Sequence, residues 1–257
     1  MNDQRVALVT GGGTGIGRAT AAALSKSGYR VVIAGRRLER LAEVSRQTGA
    51  GVYPCDLRVP EELAALANSV LADHGRLDAL VNNAGVALRK PFEDVTLADI
   101  EDVMRTNLYG PILLTQKCLG ALRETHGAIV SLSSSLATQP QPMQGIYAAA
   151  KGGIESFSRV LALEMAADRV RVNVVSPAIT RTDMMTGGGP DVDAANAYLD
   201  MRGQEYPLGR IGEPEDVAGV IDFLLSPAAS WMTGLTLSVD GGRMLGTAIS
   251  PPPPPVP

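Results

Sequence analysis

The chain has 257 residues, 45% of them hydrophobic and 19% charged, an ordinary balance for a folded domain with a well-buried core and a poor one for disorder. A net charge of −4, with no run of basic residues, argues against nucleic acid and anionic membranes as partners. No apolar stretch approaches the roughly 18 uncharged residues that span a bilayer, and the strand-like run at Val6 is expected to leave no room for a signal peptide.

The chain then alternates short apolar runs with helical patterns. Val6–Val9 reads as a strand that ends in a glycine cluster, with a helix from Ile16 to Ser27 behind it. Val31–Ile33 precedes a helix from about Arg37 to Thr48, and Val52–Tyr53 one from Glu61 to Ala72, opened by Pro60 as a favoured first-turn residue. Leu77–Val81 is a fourth strand, after which Thr96 can cap a long helix running towards Leu122. Ala128–Leu132, Val170–Val175 and Leu235–Val239 complete the strands, separated by the helix that carries Tyr147 and by one over Glu215–Leu225. Continuous apolar strands alternating with helices imply an α/β fold: one doubly wound parallel sheet of seven strands with helices on both faces.

Nothing marks a domain boundary, so a single domain over residues 1–246 is expected, followed by a proline-rich tail, 247–257, that can form only extended polyproline structure. Residues 187–203 mix glycines, acids and methionines between elements and read as a mobile substrate flap, bounded at about 183–207. Cys55 and Cys118 are the only cysteines and no Asn-x-Ser/Thr sequon occurs, which points to a reducing, cytoplasmic setting. His74 and His126 are isolated from any cysteine, so no metal site is expected.

Two motifs carry chemistry. Gly11, Gly15 and Gly17 follow the first strand and open the first helix, where a pyrophosphate can meet backbone N–H groups, with Thr14 and Ile16 in the same loop. At the end of the second strand, where an acid would select the ribose hydroxyl of NAD(H), Gly35 is followed by Arg36 and Arg37. Guanidinium groups suit a 2′-phosphate, so NADP(H) is favoured over NAD(H). The second motif is Tyr147-Ala-Ala-Ala-Lys151 with Ser134 upstream. A phenol has an ordinary pKa of about 10. An ammonium one turn further along the same helix face is expected to lower it. Taken singly, each of these residues also fits a packing or solvated role.

With these motifs in order, the chain resembles the short-chain dehydrogenase/reductase family over nearly everything from Val6 to Gly242, which implies a Rossmann-like fold. The resemblance implies that Asn107 joins Ser134, Tyr147 and Lys151 as a catalytic tetrad, anchoring a water that relays protons to Lys151. It implies that Asp56 and Leu57 meet the adenine, and that Asn83, Ala84 and Gly85 form the motif after the fourth strand. Pro177, Ala178, Thr180 and Thr182 match the stretch that holds the nicotinamide and pyrophosphate, with Ala178 where the family usually has glycine. Lys151 is also implied to bond the nicotinamide ribose, beside Tyr147.

The expected function is therefore hydride transfer between NADP(H) and a carbonyl or secondary alcohol of a small molecule, with Tyr147 as general acid/base. The alternatives are a 3-oxoacyl-[acyl-carrier-protein] reductase, an NAD-dependent alcohol or sugar dehydrogenase, and, least favoured, a nucleotide-sensing regulator. Thr125 and Asp168 stand where carrier-protein reductases present basic residues, which disfavours a carrier-bound chain. The resemblance further implies a homotetramer, for which the face of Ile154, Phe157, Leu161 and Met165 is suited to a partner helix, with core packing as the other reading.

Overall fold

The computed structural model describes residues 4–186 and 191–246; the proline-rich tail lies outside them. The first half of the chain builds β1 (Val6–Thr10), α1 (Gly15–Lys26), β2 (Arg30–Gly35), α2 (Leu38–Thr48), β3 (Gly51–Pro54), α3 (Pro60–His74) and β4 (Ala79–Asn82). The second half adds α4 (Leu97–Met104), α5 (Gly110–Thr125), β5 (Ala128–Leu132), α6 (Gly145–Glu164), β6 (Arg171–Pro177), α7 (Asp183–Thr186), α8 (Val192–Gly203), α9 (Pro214–Leu225) and β7 (Thr236–Val239). All seven strands are parallel in the order β3-β2-β1-β4-β5-β6-β7, the expected doubly wound sheet.

Because every strand points the same way, the loops after all of them open on one edge. The strand order reverses between β1 and β4, which places the crevice for a ligand beside the ends of those two strands. Both faces are covered. On one, α3, α5 and α6 bury Leu63, Leu114, Leu122 and Leu161 against Leu80 and Ile129. On the other, α1, α2 and α9 bury Leu24, Leu41 and Ile221 against Ala79, Val81 and Val130. The inner strands read as mostly apolar runs for this reason, with Ser131 in β5 and Asn173 in β6 as buried polar exceptions.

Local chemistry sets the helix ends. Pro60 opens α3 with Glu61 and Glu62 in its first turn, and Gly75 closes it in the left-handed region at φ 71°. Thr96 caps α4 as expected, its hydroxyl accepting from the Asp99 N–H at 3.2 Å while the Asp99 carboxylate accepts from the Thr96 N–H at 2.9 Å. The long helix beyond it is continuous in path, yet Arg105–Tyr109 forms a π-helical turn between α4 and α5. Pro111 has no N–H to offer the carbonyl of Asn107 four residues back, which accounts for the widened turn.

Two expectations are corrected. The stretch read as a mobile flap carries α7 and α8, with residues 187–190 of it outside the described residues. Leu199 of α8 is buried with Tyr206 and Ile211 in a small core of its own. Arg181 ties α8 down, reaching Glu213 at 3.0 Å, Asp200 at 2.5 Å and Asn196 at 2.9 Å. The second correction concerns α6. Ile154, Leu161 and Met165 face the protein's own core, with Phe157 packed against it, so the exposed apolar residues of that helix are Val160 and Leu163 instead. Among the described residues no helix is long and apolar enough to cross a membrane.

Leu80 sits in the middle of β4 with no exposed surface. Leu80→Ala is expected to cost roughly 2–5 kcal/mol of folding free energy in a denaturant titration. A loss below about 1 kcal/mol would mean that this strand does not anchor the core.

Candidate active site

The loop between β1 and α1 is held from below by β4. The Thr10 hydroxyl donates to the Val81 carbonyl at 3.2 Å and accepts from the N–H groups of Asn83 and Ala84 at 3.0 and 3.1 Å. The Asn83 amide donates in turn to the carbonyls of Thr10 and Gly11, at 2.8 and 3.2 Å. Asn83 thus braces the glycine loop as well as lining the cleft. Gly17 lies packed beneath it: a Cβ there would come within 2.2 Å of the Gly11 carbonyl oxygen, so Gly17 shapes the loop from behind rather than facing the cleft. Gly15, at φ 50°, packs closely on Thr182, where a Cβ would come within 2.9 Å of the threonine methyl. A bare backbone rim at the start of α1 fits a dinucleotide pyrophosphate.

A single cleft of about 380 Å³ runs along the open edge of the sheet. It brings together Gly11, Thr14, Gly15, Ile16, Arg36, Arg37, Asp56, Leu57, Asn83, Ala84 and Gly85 with Ser134, Tyr147, Lys151, Pro177, Ala178, Thr180 and Thr182. Of the sequence-derived site residues, only Gly17 and Asn107 stand behind its wall. Arg37 donates to the Thr14 hydroxyl at 3.1 Å, joining the β2 end to the glycine loop. Asp56 is held by Arg58, which contacts both carboxylate oxygens and also reaches Asp102 at 2.8 Å; these contacts keep the Asp56 carboxyl below its ordinary range. Ala178 is absent from the residues at positive φ, so the methyl that replaces the family's usual glycine introduces no backbone strain.

At the middle of the cleft β5 meets α6. Ser134 follows β5 and is nearly buried, its hydroxyl accepting from the Leu136 N–H at 3.3 Å. Lys151, only 4% exposed, donates to the Leu132 carbonyl at 2.6 Å, and its Nζ lies 5.8 Å from the centre of the Tyr147 ring. Burial brings the Lys151 pKa down to about 8. The Tyr147 phenol is shifted up by burial, with the Ser134 hydroxyl offsetting part of the effect. The downward pull expected from Lys151 is not part of that balance. The ammonium is directed at a strand carbonyl, and the same desolvation disfavours its own charge.

Asn107 projects from the π-helical turn and is buried. Its amide accepts from the Val86 N–H and donates to the Val86 carbonyl, both at 2.8 Å. A Cβ on Gly85 would fall 3.2 Å from its oxygen and 3.7 Å from the Lys151 Nζ, so Asn107 and Lys151 flank Gly85 closely. The side chain therefore clasps the segment after β4.

Some lining residues lay outside the sequence reading. Arg40 follows Arg37 by one helical turn and sits 3.2 Å from where a Gly13 Cβ would be. Its spacing from Arg36 and Arg37 was a usable signal. Gln139, Gln141, Gln144, Arg202, Tyr206 and Arg243 come from distant parts of the chain and carried none. Among the described residues no group of three or more His, Cys, Asp or Glu is placed to hold a metal.

This cleft on this sheet defines a dinucleotide-type α/β protein. Residues 11–243 match a family model described as enoyl-(acyl carrier protein) reductase, and the chain belongs to the short-chain dehydrogenase/reductase family. It is 35% identical over 248 residues to a D-threitol dehydrogenase of Mycolicibacterium smegmatis, covering 93% of each chain. It is 37% identical over 240 residues to an L-xylulose reductase of Mus musculus, covering 93% of this chain and 96% of that one. A solved 3-ketoacyl-(acyl-carrier-protein) reductase from Brucella melitensis, complexed with NADH, is similar with a TM-score of 0.84 and 31% identity, over 93% of this chain and 98% of that one.

Because the Lys151 pKa in the folded protein lies near 8, below the ordinary 10.5, the unfolded chain binds more protons at this site between those values. The group's contribution to stability therefore rises with pH across that window. A nitrogen-15 lysine NMR titration should show one Nζ step near pH 8 that disappears in Lys151→Met. All steps near 10 would contradict the burial argument.

Proposed function

We propose that the protein is an oxidoreductase that interconverts a carbonyl and a secondary alcohol on a small molecule, using NADP(H). The observation that carries this reading is the placement of Ser134, Tyr147 and Lys151 in one cleft with the glycine loop and the arginines after β2. The nicotinamide cofactor supplies or accepts the hydride. In the reductive direction Tyr147 donates the phenolic proton to the carbonyl oxygen, and in oxidation it removes the alcohol proton. Its raised pKa keeps it protonated at neutral pH, the form that reduction requires. Ser134 holds the substrate oxygen against the phenol and stabilises charge developing on it. Lys151, adjacent on the same helix face, supplies positive charge to the site and a contact for the cofactor ribose. Asn107 acts as a positioning residue by fixing Val86 and the backbone around Gly85.

Arg36 and Arg37 are exposed at the β2 end beside Gly35, with Arg40 one turn further on, an arrangement suited to a 2′-phosphate. The NADH-bound relative makes NAD(H) the competing choice.

The relatives named for threitol and xylulose support a sugar, polyol or related small carbonyl as substrate. The similarity to a ketoacyl-carrier reductase supports a second reading, a 3-oxoacyl thioester. Against it, Thr125 and Asp168 offer no positive charge to an acidic carrier, and Asp168 pairs with the neighbouring Arg123 at 2.8 Å. Exposed Leu97, Tyr109, Val160 and Leu163 are the surface on which we place homotetramer contacts. The buried free thiols of Cys55 and Cys118 are in keeping with a reducing cytoplasm.

Tyr147→Phe should keep cofactor binding, followed by fluorescence, while NADPH oxidation against a ketone panel falls by about two to four orders of magnitude. Activity within tenfold of the unaltered protein would refute the acid/base role. Replacing Arg36 and Arg37 together by Gln is expected to cut the NADPH-over-NADH ratio of kcat/KM by roughly ten- to hundredfold. An unchanged ratio would move cofactor choice away from these residues.

A further inference from the structure

We infer that the end of the cleft built by Arg202 and Arg243 around Tyr206 is a seat for a compact oxyanion, so that the preferred substrate carries a carboxylate or phosphate apart from its reacting carbonyl or alcohol. This rests on the oxidoreductase reading above and narrows its substrate class.

Tyr206 is buried, and its phenol oxygen accepts from the Ile179 N–H at 3.2 Å, which fixes it beside the end of β6. The Arg243 guanidinium lies 5.8 Å from the centre of its ring. Arg202, one helical turn before Tyr206, donates to the Tyr198 hydroxyl at 3.0 Å. Burial pushes the Tyr206 phenol above its ordinary pKa, and the nearby Arg243 and Arg202 guanidiniums offset part of that shift. Arg202, Arg243, Tyr198 and Tyr206 all line the same cleft as Tyr147.

The charges at this end do not balance. Arg202 has Glu205 at 3.1 Å. Arg243 is half-buried, and among the described residues its side chain has the Tyr206 ring and no carboxylate partner. Arg89 also lines the cleft, and the one further acid on this wall is Asp183. A guanidinium held partly out of water and facing a concavity without a counter-charge is uncommon, because desolvation penalises it. Its planar donors match a carboxylate or phosphate with two parallel hydrogen bonds. The cofactor phosphates have their own partners in the glycine loop and in Arg36 and Arg37, at the other end of the cleft. Met184 and Met185 on the same wall leave an apolar surface for the body of the substrate.

The test compares substrates matched in size but not in charge: 4-oxocyclohexanecarboxylate with its primary amide, and xylulose 5-phosphate with xylulose, each with NADPH. The anionic member of at least one pair should be preferred in kcat/KM by roughly ten- to hundredfold, and that ratio should collapse towards one in Arg243→Gln and fall in Arg202→Gln. The pair that responds identifies the group as carboxylate or phosphate. A ratio near one in the unaltered protein, or one that survives both substitutions, overturns the inference. If no member of either pair is turned over, the oxidoreductase reading is what fails. The oxyanion seat is then judged by calorimetric binding of 4-oxocyclohexanecarboxylate to the NADP⁺-loaded protein. Binding that Arg243→Gln abolishes supports the seat, and absence of binding or indifference to the substitution sinks it.

Discussion

Two buried polar contacts fasten the helix carrying Tyr147 to the end of β5, next to the middle strand of the sheet. Lys151 donates to the Leu132 carbonyl, and the Ser133 hydroxyl donates to Glu155 at 2.6 Å, one helical turn beyond. Each joins α6 to the end of β5, and both lie away from water, where a hydrogen bond left unmade is costly. The face of α6 that these contacts turn towards the strand also carries Tyr147, and Ser134 follows Ser133 directly. Tyr147 and Ser134, the groups proposed to react, are therefore placed by the same bonds that dock the helix. On a parallel sheet the other cleft loops open at this edge as well, so the site needs no separate scaffold.

Burial at this junction sets the chemical character of the groups. It disfavours the ammonium of Lys151 and the phenolate of Tyr147 alike, leaving a phenol that holds its proton at neutral pH. Along the rest of the cleft positive charge is divided between two ends. Arg36, Arg37 and Arg40 gather where β2 meets α2, and Arg202 and Arg243 gather around Tyr206.

Much of this was legible in the chain itself, for reasons that differ by element. Strands buried on both faces are nearly continuous in apolar residues, so Val6–Val9 and Ala128–Leu132 stood out without alternation despite Ser131. Pro60 and Thr96 marked helix starts through their own backbone chemistry. The α8 helix left no such trace: Leu199 is its one large buried side chain, while Tyr198 and Met201 are exposed, so no apolar stripe forms. The apolar face of α6 was visible, but periodicity cannot tell a core from a partner, and Ile154, Leu161 and Met165 proved to be core. The π-helical turn followed from Pro111 within a helix, a signal present in the sequence and left unread. Arg202 and Arg243 meet only through tertiary folding around Tyr206.

The proposed function requires direct hydride delivery to a carbon whose oxygen Tyr147 protonates. The most direct measurement is reduction of a ketone by NADPH dideuterated at the nicotinamide C4, with mass spectrometry of the alcohol. One deuterium on the new carbinol carbon, with the hydroxyl proton drawn from water, is the predicted result. An alcohol without deuterium on that carbon would contradict it.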